Sequence, residues 1–144
     1  MATVNTYLTF NGTTEEAFHF YKSVFGGEFT YIGKFKDMPA DENCLPPSEE
    51  EGNLIMHVSL PISKETILMG SDATSFSGSV IFGNNFSVSI TTDSKEEADK
   101  LFDGLSANGK ITMPMEKTFW GAYFGMFTDK FGINWMVNFD EIPK

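Results

Sequence analysis

His57, in the run "LIMHVSLPI", is the residue whose type and position most directly suggest chemistry. An imidazole in the middle of an extended segment can act as general acid or base, anchor a ligand, or hold a metal; it can equally be a histidine hydrogen-bonded within its own sheet. Leu54, Met56, Val58 and Leu60 fall on one face of that run, and Ile55, His57 and Ser59 on the other. His19, in "EEAFHFYKS", lies opposite the apolar stripe of a helix and reads as solvated. Cys44 has Asp41, Glu42 and Glu49 around it, and their negative charge opposes a thiolate, so it is a poor nucleophile and has no partner for an intrachain disulfide. Asp72 in "GSD" and Asp129 in "TDKFG" have the positions of turn and strand-end residues.

A second set is soft and aromatic. In "TDKFGINWMVNF" a turn leads into a strand whose alternate residues are Asn134, Met136 and Asn138. Thioether sulfur suits Cu(I) and offers little to Zn, Mn, Ni or Fe(II). From Phe119 to Phe139 come eight aromatic residues, and "FWGAYFGMF" places them on both faces of a strand. With Met69, Met115, Met126 and Met136 they could line an apolar cleft; the competing reading is core plus dimer interface.

The elements that must position these residues form an internal repeat. "YLTFNGTTEEAFHFYKSVFGGE" reads as strand, turn and a helix ending at a Gly pair, and "VSITTDSKEEADKLFDGLSANGK" repeats that order. Ala17, Phe20, Tyr21 and Val24 correspond at constant offset to Ala98, Leu101, Phe102 and Leu105, the expected apolar face of each helix. Each helix is followed by an extended run and a hairpin, so each half is βαβββ, about 1–74 and 84–144, within one domain over 1–144. The class is α+β. The segment 37–53, acidic, rich in proline and without a basic residue, is expected to be a loop insertion.

The net charge of −10 argues against nucleic acid and anionic membranes as partners, and no run approaches the roughly 18 apolar residues of a membrane span. With no signal-like N-terminal segment, a cytoplasmic location is expected.

The two βαβββ modules, together with the Phe-Tyr and Gly-Gly of the first helix, "ILMGSD" and "DKFGINWMVNF", resemble the vicinal oxygen chelate superfamily, which includes glyoxalase and bleomycin-resistance proteins, and within it the PhnB-like branch. The resemblance implies modules curled into a U-shaped incomplete barrel around a cleft, with dimerisation. It also implies metal-ligand positions near Asn5, Asn85, Met69 and Met136. None is His, Glu or Asp, so neither a metal nor another cofactor is expected. Methyl transfer, a label carried by some of that branch, would need a glycine-rich turn opening a helix, whereas Gly26 and Gly27 close one.

The expectation is therefore a metal-free site for a small apolar or aromatic molecule, drawn from Asn5, Tyr7, His57, Met69, Asn85, Trp120, Tyr123 and Met136, in a homodimer. The alternative is an enzyme, either a metal-dependent lyase, dioxygenase or transferase, or one using His57 as acid or base.

Overall fold

The computed structural model describes residues 2–38 and 48–141. It divides into two compact units, Met1–Ile81 and Phe82–Lys144. The first runs β1 (Tyr7–Phe10), α1 (Thr14–Phe25), β2 (Tyr31–Lys34), a short 3-10 turn, α2 (Glu49–Gly52), β3 (Ile55–Pro61) and β4 (Ile67–Asp72). The second runs β5 (Val88–Thr91), α3 (Lys95–Ser106), β6 (Lys110–Lys117), β7 (Ala122–Thr128) and β8 (Asn134–Asp140). Both sheets have one topology, β1-β4-β3-β2 and β5-β8-β7-β6, in which the first strand of each unit lies parallel to the last. The class is α+β, built on a duplicated module.

Helix α1 forms where Glu15 and Glu16 meet its positive pole and Lys22 its negative one. Its buried stripe is Thr14, Ala17, Phe18 and Tyr21. Phe18 takes the place expected for Phe20, because Gly70 on β4 leaves a gap that the Phe18 ring fills: a Cβ on Gly70 would stand 2.7 Å from it. Constant-offset alignment hides this, since Phe18 then falls opposite the polar Asp99. In α3 the buried set includes Ala98, Leu101, Phe102 and Leu105, as the spacing requires.

The first core joins that stripe to Leu8, Phe10, Val58, Leu60 and Leu68, all buried, each large side chain contributing about 1.5–3 kcal/mol. Strict alternation fails at Ile55, which is 1% exposed at the start of β3, where the pairing shifts register opposite Gly33 and Lys34. The second core is built on Trp135, Val137 and Phe127.

Two buried carboxylates organise the units. Asp72, at the end of β4, accepts from Gly12 N, Thr14 N and Thr14 Oγ1 on Oδ1 and from Ile55 N on Oδ2, at 3.0, 3.1, 2.6 and 2.9 Å. It thus caps α1 from another element, while Thr13, the N-cap residue, makes no side-chain cap. Asp129 holds the β7–β8 turn through Phe131 N and Ile133 N, and its other oxygen accepts from Trp135 Nε1 at 2.8 Å.

Helix α1 ends at Gly26, with φ 82° and ψ −169°, a glycine region distinct from the left-handed helical well; Gly27 also has positive φ, at 81°. Segment 37–53 is not loop throughout. Asp37 closes the 3-10 turn, and Glu49–Gly52 form a helical turn because Ser48 Oγ accepts from Glu51 N at 3.2 Å and the first turn is acidic. Residues 39–47, Cys44 included, lie outside the described residues.

Candidate functional site

In the first sheet, strand alternation sends Leu8, Phe10, Val58, Leu60 and Leu68 toward α1, and Tyr7, Tyr31, Ser59 and Met69 to the far face, where they form one cross-strand row. His57 lies one step along β3, opposite Gly33. Its ring stacks with Tyr7 at 5.7 Å between centroids and 29°, and stands 5.9 Å and 38° from Tyr31. Nδ1 shares a hydrogen bond with Tyr7 Oη at 3.3 Å, and Nε2 with Ser59 Oγ at 3.0 Å. Tyr7 and Tyr31 nevertheless remain 47% and 46% exposed, so the cluster presents ring surface and hydroxyls to solvent.

Of the sequence candidates, Tyr7, His57 and Met69 lie together on this face. Tyr31, Gly33 and Ser59 complete the cluster and were missed. The available signal was "YIG": period two puts Tyr31 and Gly33 on one face, and a glycine inside a strand marks a close approach.

The second sheet's far face carries a sulfur-rich row, with Ser89, Met136, Met126 and Met113 successive neighbours in register. Trp120, 58% exposed ahead of β7, stands 6.3 Å from Phe124. Tyr123 does not join this row. It faces α3, where its hydroxyl donates to Asp99 Oδ1 at 2.6 Å and Lys95 Nζ sits 4.6 Å from its ring centroid. The bond to Asp99, with some desolvation and the negative charge of Asp99, Asp103 and Glu141, pushes the phenol up to about 12. Asn5 and Asn85 are exposed and precede β1 and β5 outside both sheets.

A separate open groove of about 580 Å³ lies between α2 and the segment after β4, with Glu50, Glu51, Ala73 and Thr74 in its wall. Hydrogen bonds from Ser75 hold the Glu51 carboxyl below its ordinary range. The groove contains none of the sequence-selected residues and no imidazole, and we place the candidate site on the far face of the first sheet.

The family model of the Glyoxalase/Bleomycin resistance protein/Dioxygenase superfamily matches residues 3–137. The chain belongs to this superfamily. The Escherichia coli (strain K12) protein YjdN is 36% identical to this superfamily member over 137 residues, covering 92% of this chain and 91% of that protein. Protein PA1353 from Pseudomonas aeruginosa is 37% identical, with a TM-score of 0.85 over 97% of this chain and 98% of the other. A Bacillus cereus structure described as a putative 3-demethylubiquinone-9 3-methyltransferase, PhnB protein, is 27% identical, with a TM-score of 0.72 over 96% of this chain and 99% of that one. This member is PhnB-like.

The divalent metal implied for enzymatic members of the superfamily can be tested against the donors present. Two amides outside the strands and two thioethers do not make a hard-cation site. Among the described residues no three His, Cys, Asp or Glu side chains converge. Asp72 and Asp129 have their oxygens committed to N–H and O–H donors. The residues do not fit the ion.

Proposed function

We propose that this protein binds a small planar organic molecule on the far face of the first sheet. The observation that carries this reading is the Tyr7–His57–Tyr31 cluster: three rings within 5.9 Å of each other's neighbour, half-exposed, with hydrogen-bonding hydroxyls at their edges. Aromatic platforms of this kind bind flat ligands by stacking, and a few placed polar groups orient them. Met69, next in register to Tyr7 and Ser59, adds an adaptable apolar contact.

A second reading is favoured by the hydrogen-bonded chain Tyr7–His57–Ser59, which is an arrangement able to move a proton at a bound ligand. It makes the protein an enzyme acting through His57 without a metal. The methyltransferase description of the Bacillus cereus relative finds no support in this chain's glycine pair, which stands at the carbonyl pole of α1.

The test is an NMR titration with small planar aromatics such as indole, quinoline and 2-naphthoate. Saturable shifts confined to Tyr7, Tyr31, His57 and Met69 are expected, and these shifts should be lost in His57→Ala. Uniform or non-saturating shifts would remove the binding reading. A stoichiometric metal in the purified protein would replace it with a metal-dependent one.

A further inference from the structure

Gly33 is a glycine that the backbone of β2 does not need. It lies within a strand, pairs with His57, and lacks the positive φ seen at Gly26 and Gly27. A strand glycine has a cost, because it has no side chain to pack and more conformational freedom to lose. What occupies the missing side chain's place is Tyr31. A Cβ on Gly33 would stand 2.5 Å from Tyr31 Oη, 2.9 Å from Cζ and 3.1 Å from Cε1. The Tyr31 ring therefore lies along its own strand over Gly33, burying that glycine and bringing the tyrosine beside the imidazole.

The composition of this face points to the ligand's charge. Its strand positions are Tyr7, Thr9, Tyr31, Gly33, His57, Ser59, Pro61, Ile67, Met69 and Ser71. They supply five hydroxyls and one imidazole, and none is Asp or Glu, although the chain carries 20 acidic residues. A carboxylate ligand needs O–H and N–H donors and no competing negative charge within contact distance. The chain's overall negative charge acts from further away and is largely screened beyond about 8 Å at physiological ionic strength.

We propose that this face selects planar ligands bearing a carboxylate-type anionic group, and that Gly33 sets the selectivity by letting Tyr31 lie down beside His57. In this arrangement the ligand's ring stacks on the Tyr7 and His57 platform while its anionic edge accepts from the Tyr31 hydroxyl and the polar edge around His57. The proposal rests on the binding reading above and adds to it the charge of the ligand and the residue that positions the donor.

The experiment compares 2-naphthoate with its neutral counterpart 2-naphthylmethanol, with affinities measured by NMR titration of wild type, Tyr31→Phe and Gly33→Ala. Wild type should prefer the carboxylate by about tenfold, the ratio for one charge-assisted hydrogen bond of ordinary strength. Tyr31→Phe keeps the ring over Gly33 and removes the hydroxyl, so it should lose most of that preference while still binding the alcohol. Gly33→Ala should lose it too and should also move the His57 ring resonances in the absence of any probe, because the Tyr31 ring current is displaced. Equal binding of both probes by wild type overturns this proposal and leaves the binding reading standing. Saturable binding of neither probe overturns both. Should Gly33→Ala fold poorly, Tyr31→Phe decides alone: an undiminished preference in that variant refutes the role given to Tyr31.

Discussion

Tyr7 and His57 stack at 5.7 Å between ring centroids with a tilt of 29°, although β4 runs between their strands. The tyrosine reaches diagonally across Met69 and Ser71, and its hydroxyl meets Nδ1 at 3.3 Å. Stacking and hydrogen bonding can be separated by substitution. Tyr7→Phe keeps the ring and should retain most of the affinity for a planar probe such as indole, whereas Tyr7→Ala should weaken it by about tenfold. Because Tyr7 is half-exposed, both variants should keep their stability within about 1 kcal/mol of wild type in urea unfolding. Equal binding by Tyr7→Ala and wild type would place the ligand elsewhere.

Asp72 is the stability-critical acid of the first unit. Asp72→Asn replaces one acceptor oxygen with an amide donor, which then faces the N–H of Ile55 or those at the start of α1. A loss of about 2–3 kcal/mol is expected, with Asp72→Ala losing more because several buried donors are left unmatched. Denaturant midpoints of the two variants measure this. A change under about 0.5 kcal/mol in both would show that the cap is dispensable.

Tyr123 should titrate late. An ordinary tyrosine ionises near about 10, whereas the bond to Asp99 pushes this one up to about 12. The folded pKa is raised, so the stabilisation is fully present below about pH 10 and is lost as pH rises toward about 12. The difference in phenolate absorbance between wild type and Tyr123→Phe isolates the transition. Asp99→Asn should return it toward the ordinary value, and an unchanged midpoint in that variant would show that Asp99 is not the cause.

We propose that the protein is a homodimer, supported by large apolar side chains left in water: Phe76 is 100% exposed, Phe119 97% and Ile81 94%. Light scattering at micromolar concentration should give twice the chain mass of 16.0 kDa, and Phe76→Ser with Ile81→Ser should lower it. A single species at the chain mass in wild type would refute the dimer.

Much of the fold was legible in the sequence because the signals are local. Period-two runs, acidic helix starts and the Gly26–Gly27 stop depend on neighbours within a few residues, and the duplication states them twice. The buried stripe of α3 followed from its spacing for the same reason. Phe18 in α1 did not, because what selects it is a gap left by Gly70, far away in the chain. Tyr7, His57 and Met69 were likewise among the candidates, but nothing local showed which of them would meet. The strand order β1-β4-β3-β2 decided that, by carrying residues fifty positions apart onto one face. Tyr123 went the other way, since only the packing of α3 revealed a carboxylate waiting for its hydroxyl. Gly33 shows the division most clearly: its letter was readable, but its purpose is the ring of Tyr31 lying over it. A side chain's direction is settled by contacts that chain spacing alone does not contain.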